Sequence, residues 1–131
     1  MSLRGDTVRV VEGHATPVRV QSAEVESLLA APLRRAVPNA QVDRSRIPAT
    51  KSAFTDHFTD DRGWLWVNIP LPMNQRGVTF DVFDAQGRYQ GRLHTDERIG
   101  QPMLVRGNRL YAVAYDEDDV PSIVRFRIVG R

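Results

Sequence analysis

From Phe54 onward the apolar residues recur at every second position rather than every third or fourth, which is the period of a β-strand. Val78, Phe80 and Val82 share one face of a predicted strand, "DAQG" supplies a turn, and Tyr89 to Leu93 return as the second arm of a hairpin. "PMLVRGNRLYAVAYDEDD" reads as strand, Gly-Asn turn and strand, and "PSIVRFRIVGR" as a last strand. "DDRGWLWVNIP" (Asp60 to Pro70) is a tight turn feeding a strand that is apolar on both sides, Trp64 and Trp66 on one face, Leu65 and Val67 on the other. Such a strand is expected between two packed layers. The pattern predicts at least seven antiparallel strands over Ala53 to Gly130.

Only one segment has a helical period. In "SAEVESLLAAPLRRAVP", Val25, Leu28, Leu29 and Leu33 fall on one stripe, Ser22 is the expected N-cap, and Glu24 and Glu26 suit the helix N-terminus. At Pro32 a break, or a second short turn starting there, is expected. Upstream, Val8 and Val10, then Val18 and Val20, alternate with polar residues around Glu12-Gly13-His14, as in a hairpin. The chain thus divides into an N-terminal hairpin (1–21), a helical insertion with a polar connector (22–52), and a strand-rich region (53–131).

The strand-rich region repeats itself. Leu65-Trp66 superposes on Leu110-Tyr111 at an offset of 45, and "FDVFDAQGR" superposes on "IVRFRIVGR" at 43, matching Phe83 with Phe126, Gly87 with Gly130 and Arg88 with Arg131. A four-stranded unit of about 43–45 residues is the period of a β-propeller blade. A mainly β, incomplete propeller of two to two and a half blades is the expected fold: a half-blade over Asp6 to Gln21, a whole blade over Ala53 to Thr95, and three strands of another over Pro102 to Gly130. Trp66 and Tyr111 should then hold equivalent places in their sheets.

With this phrasing, "RIPATKSAFTDHFTDDRGWLWVNIP", "FDVFDAQGRYQGRL" and "NRLYAVAYDEDDVPSIVRFRI" resemble the C-terminal blades of bacterial six-bladed β-propeller proteins, the broadly NHL- or TolB-like group. The resemblance implies a non-catalytic binding or scaffolding module, part of a larger protein exported to the periplasm or cell envelope. It also implies an alternative, a fragment of a metal-dependent lactonase or esterase whose ligands sit mostly on other blades. A six-bladed ring at this period needs about 260 residues, and this chain has 131. Its abrupt start after Met1-Ser2-Leu3 is what a segment cut from a longer protein would look like.

Composition narrows the chemistry. There are no cysteines, so disulfides, thiolate catalysis and Cys-based zinc sites are excluded. The formal charge is +2, with 18 basic residues interleaved among 16 acidic ones, and no Lys/Arg-rich run marks a nucleic-acid partner. No apolar run reaches the roughly 20 residues of a membrane span. No Ser-His-Asp ordering, phosphate-cradling glycine loop or metal-ligand spacing is present, so no catalytic residue, metal or cofactor is assigned. Asp116 to Asp119 read as a solvated turn rather than a cation site, and His14 and His94 have no partner in the sequence. In propellers, ligands usually sit on the face with the loops joining second to third strands and blade to blade. Here those are Ile69 to Gly77, Thr95 to Gln101 and Asp116 to Pro121, with Asn74, Gln75, Arg76, Asp96, Glu97, Arg98, Asp116 and Glu117 as candidate binding residues. His57, alternating with Phe58 on the first strand, is the candidate channel-facing residue. An incomplete stack leaves apolar sheet faces uncovered, so self-association through them is expected, alongside a ligand or protein partner of unknown identity.

Overall fold

The structure is a computed structural model and describes residues 10, 11, 13 and 16–130. Among the described residues it is mainly β: two antiparallel sheets, one short helical segment and a 3-10 turn at Arg44–Arg46. Strands β1 (Asp56–Thr59), β2 (Leu65–Ile69), β3 (Val78–Phe83) and β4 (Tyr89–Thr95) form the first sheet in sequence order. Strands β5 (Ile99–Arg106), β6 (Arg109–Tyr115) and β7 (Pro121–Arg127) form the second. Among the described residues no helix follows Phe54, as the period-two pattern requires, and no sheet closes into a barrel.

The sheets pack face to face. Trp66, Phe80 and Val82 from the first sheet join Ile99, Val105, Leu110, Ala112 and Ala114 from the second in one apolar cluster. Trp66 is only 2% exposed; Phe58 stacks on it at 5.6 Å and Phe80 meets it edge-on at 5.8 Å. Such ring pairs add to the burial of their area. Trp64 packs against the rim of this cluster, with the Arg62 guanidinium 3.7 Å above its ring.

The repeat is a repeat of ladders. In the first sheet Leu65 pairs with Phe83, Trp66 with Val82 and Asn68 with Phe80. Adding 45 to the β2 residue and 43 to the β3 residue gives Leu110 with Phe126, Tyr111 with Arg125 and Val113 with Ile123, which are the pairs observed between β6 and β7. Trp66 and Tyr111 therefore hold equivalent places on the second strands of their sheets.

Three hairpin turns share one construction. Asp60, Asp84 and Asp116 each accept backbone N–H bonds from the residues two and four further on, at 2.9–3.0 Å. The residue at the third position is left-handed in all three, Gly63 at φ 73°, Gly87 at φ 82° and Asp119 at φ 60°. A carboxylate closing the turn and a left-handed residue completing it match the right-handed twist of the flanking strands.

The helical segment departs from expectation at its start. Gln21, not Ser22, is the N-cap; Glu24 reaches back to the Gln21 N–H at 2.8 Å. Pro32 does not interrupt the helical path; the second of the expected outcomes is seen, a short α-helix starting beside it. An α-helical turn (α1, Ser22–Val25) widens into a π-helical turn (Glu26–Ala30) and resumes as α2 (Ala31–Ala36). The Ala31 N–H bonds five residues back to the Glu26 carbonyl, and the wider turn makes room for a proline that lacks an N–H and crowds the preceding turn. Val25 and Ala30 face inward, whereas Leu28, Leu29 and Leu33 of the expected stripe are exposed.

Of the expected N-terminal hairpin, Thr7 to Arg9, Glu12 and His14 lie outside the described residues. The segment around Arg19 pairs with the connector instead, by a bridge from Arg19 to Thr50 and bonds Val20 N–H to Ala49 and Lys51 N–H to Val18. Lys51, the single lysine, ties these parts together through Glu24 at 2.5 Å and the Leu71 carbonyl at 2.8 Å.

Candidate functional site

The three loops singled out from sequence lie at one end of the two sheets, because consecutive antiparallel strands send every second connection to the same end. Gly77 closes the first loop, 70–77. At φ 92° it lies so close to the end of β4 that a Cβ there would sit 1.8 Å from the Thr95 carbonyl oxygen, so only glycine fits. The second loop, 96–98, is joined to the third by an ion pair between Arg98 and Asp119. The Tyr115 N–H also bonds the Arg98 carbonyl at 3.0 Å.

Eight candidate residues are thus gathered on exposed backbone, but they are not alike. Asn74, Gln75, Arg76, Glu97 and Glu117 are exposed, and their side chains hold no hydrogen bond or ion pair among the described residues. The others are engaged. Asp116 closes its own turn, Arg98 holds Asp119, and the Asp96 carboxylate accepts from the His94 Nε2–H at 2.9 Å. Asp116 to Asp119 form a hairpin turn, as the pattern suggested. Among the described residues no group of three or more His, Asp or Glu is arranged to hold a metal ion.

His57 is exposed on β1, on the face of the first sheet turned away from the second, with its ring edge-on to Phe54 at 6.2 Å. Its neighbour Asp56 accepts from the Gln101 side chain at 2.9 Å, a bond between the two sheets, and that bond with the His57 N–H holds its carboxyl below the usual range.

His94 lies near the end of β4 and, where the sequence offered no partner, has two, Thr79 Oγ1 at 2.7 Å and Asp96. Beside it Asp81, 8% exposed, takes a two-pronged contact from Arg92 at 2.8 and 3.0 Å and a bond from the Tyr89 hydroxyl at 3.2 Å. Arg92 is pushed up by Asp81, while burial and then Asp81 push Tyr89 up. These cross-strand contacts were hidden in the sequence because they depend on register.

No protein-family model, curated protein or solved structure matches this chain. Its function is therefore argued from its own geometry. Among the described residues no helix is long and apolar enough to cross a membrane.

Proposed function

We propose that the chain is two consecutive units of a β-propeller, a four-stranded blade followed by one of three strands, and that it serves a larger protein as a non-catalytic binding or scaffolding module. The observation that carries this reading is the direction of stacking. Trp66 points into the second sheet and meets the face carrying Leu110, Ala112 and Ala114. Tyr111, its equivalent, points away from the first sheet, toward where a following sheet would pack. Two sheets related by a two-fold axis would instead bring equivalent residues together. Same-direction stacking with a regular repeat is how radial and solenoid arrays are built.

The binding half of the proposal rests on the loop end. There Asn74, Gln75, Arg76, Glu97 and Glu117 present polar groups without internal partners, on turns whose backbones are fixed by their own bonds. Rigid loops displaying unpaired polar groups suit recognition. The partner is a ligand or protein, and the open sheet faces add a route to self-association.

A photo-crosslinking amino acid placed at Arg76 or Glu117, and separately at Asn108 on the opposite end, tests the assignment in cells that make the parent protein. Products with molecules other than a second copy of this chain, formed from the first two positions and not the third, support a binding face on these loops; equal yields of such products from both ends, or none from any, overturn it. Turnover of lactones or aryl esters by this chain would replace the binding reading with the hydrolase one.

A further inference from the structure

The outward face of the second sheet is divided by charge along its strands. Register sets Arg106, Arg109 and Arg127 side by side across β5, β6 and β7, with Arg125 two residues further along β7. Arg109, Arg125 and Arg127 line a surface hollow with Asn108. The side chains of these four arginines hold no ion pair or hydrogen bond among the described residues, whereas Arg62, Arg88 and Arg92 of the first sheet each hold an aspartate. The other end of the same sheet is acidic. There Asp116 and Asp119 are occupied by the turn and by Arg98, and Glu117 and Asp118 have unpaired side chains.

Between the two ends the face is apolar. Leu104 and Tyr111 share a row that Arg125 closes on β7, and Val113 and Ile123 form the next, with Leu104 47% and Ile123 84% exposed. A face that is basic, apolar and acidic in that order is complementary to itself when a second copy is laid on it with its strands reversed.

We propose that the chain forms a two-fold dimer through this face, the arginine end of each copy resting on the Glu117–Asp118 turn of the other. A two-fold contact of this kind uses one patch twice, and arginine and tyrosine are the residues that anchor such patches. The alternative, head-to-tail stacking onto the outward face of the first sheet, is disfavoured. Gly13 lies against the Phe83 ring and Val11 against Gly87, covering part of that face. Its buried carboxylate, Asp81, is already satisfied by Arg92 and Tyr89. The proposal needs the outward face of the second sheet to be open, as it is in this chain; a following sheet packed on Tyr111 would occupy the same face and exclude the dimer.

Three strands at about 4.8 Å spacing and about 25 Å length give a footprint of roughly 350 Å² per copy. That is below a standard interface, so the dimer is weak, with a dissociation constant on the order of 100 μM, and it loosens as salt screens the charged ends.

Light scattering and sedimentation from about 10 μM to 1 mM in low salt test this. The wild type is expected to pass from monomer to dimer over that range, with at least a fivefold weakening at 0.5 M salt. Arg125→Glu/Arg127→Glu and Glu117→Lys/Asp118→Lys should each stay monomeric while keeping the wild-type circular dichroism. An equimolar mixture of the two should dimerise again, because each charged contact is then restored with its sign reversed at one end. A wild type that is monomeric at 1 mM overturns the proposal, and so does a mixture that stays monomeric. Association that survives the arginine changes and is lost in Leu65→Asp would assign the contact to head-to-tail stacking instead.

Discussion

Asp60 joins a turn to the core, and its removal separates the two. Its carboxylate is fully enclosed and accepts from the Arg62 N–H at 2.9 Å, the Trp64 N–H at 3.0 Å, the Trp66 indole Nε1–H at 3.2 Å and the Arg62 guanidinium at 2.9 Å. In Asp60→Ala the half-exposed Arg62 returns to water, so its ion pair contributes under about 1 kcal/mol. Loss of the side-chain bonds to the turn backbone costs about 1 kcal/mol, by analogy with a helix N-cap. The indole N–H has no such escape, since Trp66 is 2% exposed, and a stranded buried donor costs about 1–3 kcal/mol. The total is about 2–5 kcal/mol, a large part of the stability of a domain this size, and corresponds to a fall of about 8–20 °C in Tm. Urea denaturation followed by far-ultraviolet circular dichroism measures it. The decisive comparison is made in the Trp66→Phe background, where no indole donor remains to be stranded. There Asp60→Ala should cost about 1–3 kcal/mol less than in the wild type. A coupling energy below about 0.5 kcal/mol would refute the account, because Asp60 would then act on the turn alone.

The shared turn and the tight glycine lead to further expectations. Asp119 is the one position of the three left-handed turn sites not occupied by glycine, so Asp119→Gly should raise stability by about 0.5–1 kcal/mol in urea melts despite losing the exposed pair with Arg98. Gly77→Ala should cost about 3–5 kcal/mol, since the new methyl both meets the Thr95 carbonyl and requires a strained φ; Gly130→Ala, with open space around it, is the neutral control. Acid should unfold the chain through its turn aspartates. Burial alone would raise the Asp60 carboxyl, but bonds from Arg62, Trp64 and Trp66 overcome it, and the Arg88 N–H, against some burial, helps hold Asp84 down, so both titrate below the usual carboxylate range. Groups depressed in the folded state stabilise it above the unfolded pKa of about 3.9 and lose that contribution as pH falls through the folded value. Stability measured from pH 5 to 2 should therefore drop less steeply in Asp84→Ala than in the wild type.

Strand positions, the single helical segment and the inward tryptophan were legible because each rests on periodicity over several residues. Phe58, Trp66, Phe80 and Val82 show it well: each is apolar, sits in an alternating run and faces the core. The continuous helix across Pro32 was not legible, because a π-helical turn is a backbone adjustment that no residue type announces. The same holds for the Thr79–His94–Asp96 and Asp81–Arg92–Tyr89 contacts. Their members are 15 and 11 residues apart across β3 and β4, and only the pairing brings them together.

The repeat illustrates why register carries more than sequence offset. Between the two sheets the offset is 46 for Phe58 and Leu104, 45 for Trp66 and Tyr111, and 43 for Val82 and Arg125, each set lying in one cross-strand row. No single period fits all three. The change comes entirely from the loops, which shorten by one residue between the first and second strands and by two between the second and third. A ladder cannot absorb such a change, since slipping by one residue would turn Trp66 or its equivalent to the opposite face; a loop absorbs it at little cost. Conserved rows with drifting offsets are therefore the mark of a repeated sheet, and they also explain the charge division. Once the rows are fixed, substituting Val82 by Arg125 and Asp84 by Arg127 converts a core-facing surface of the first sheet into a basic, outward one in the second.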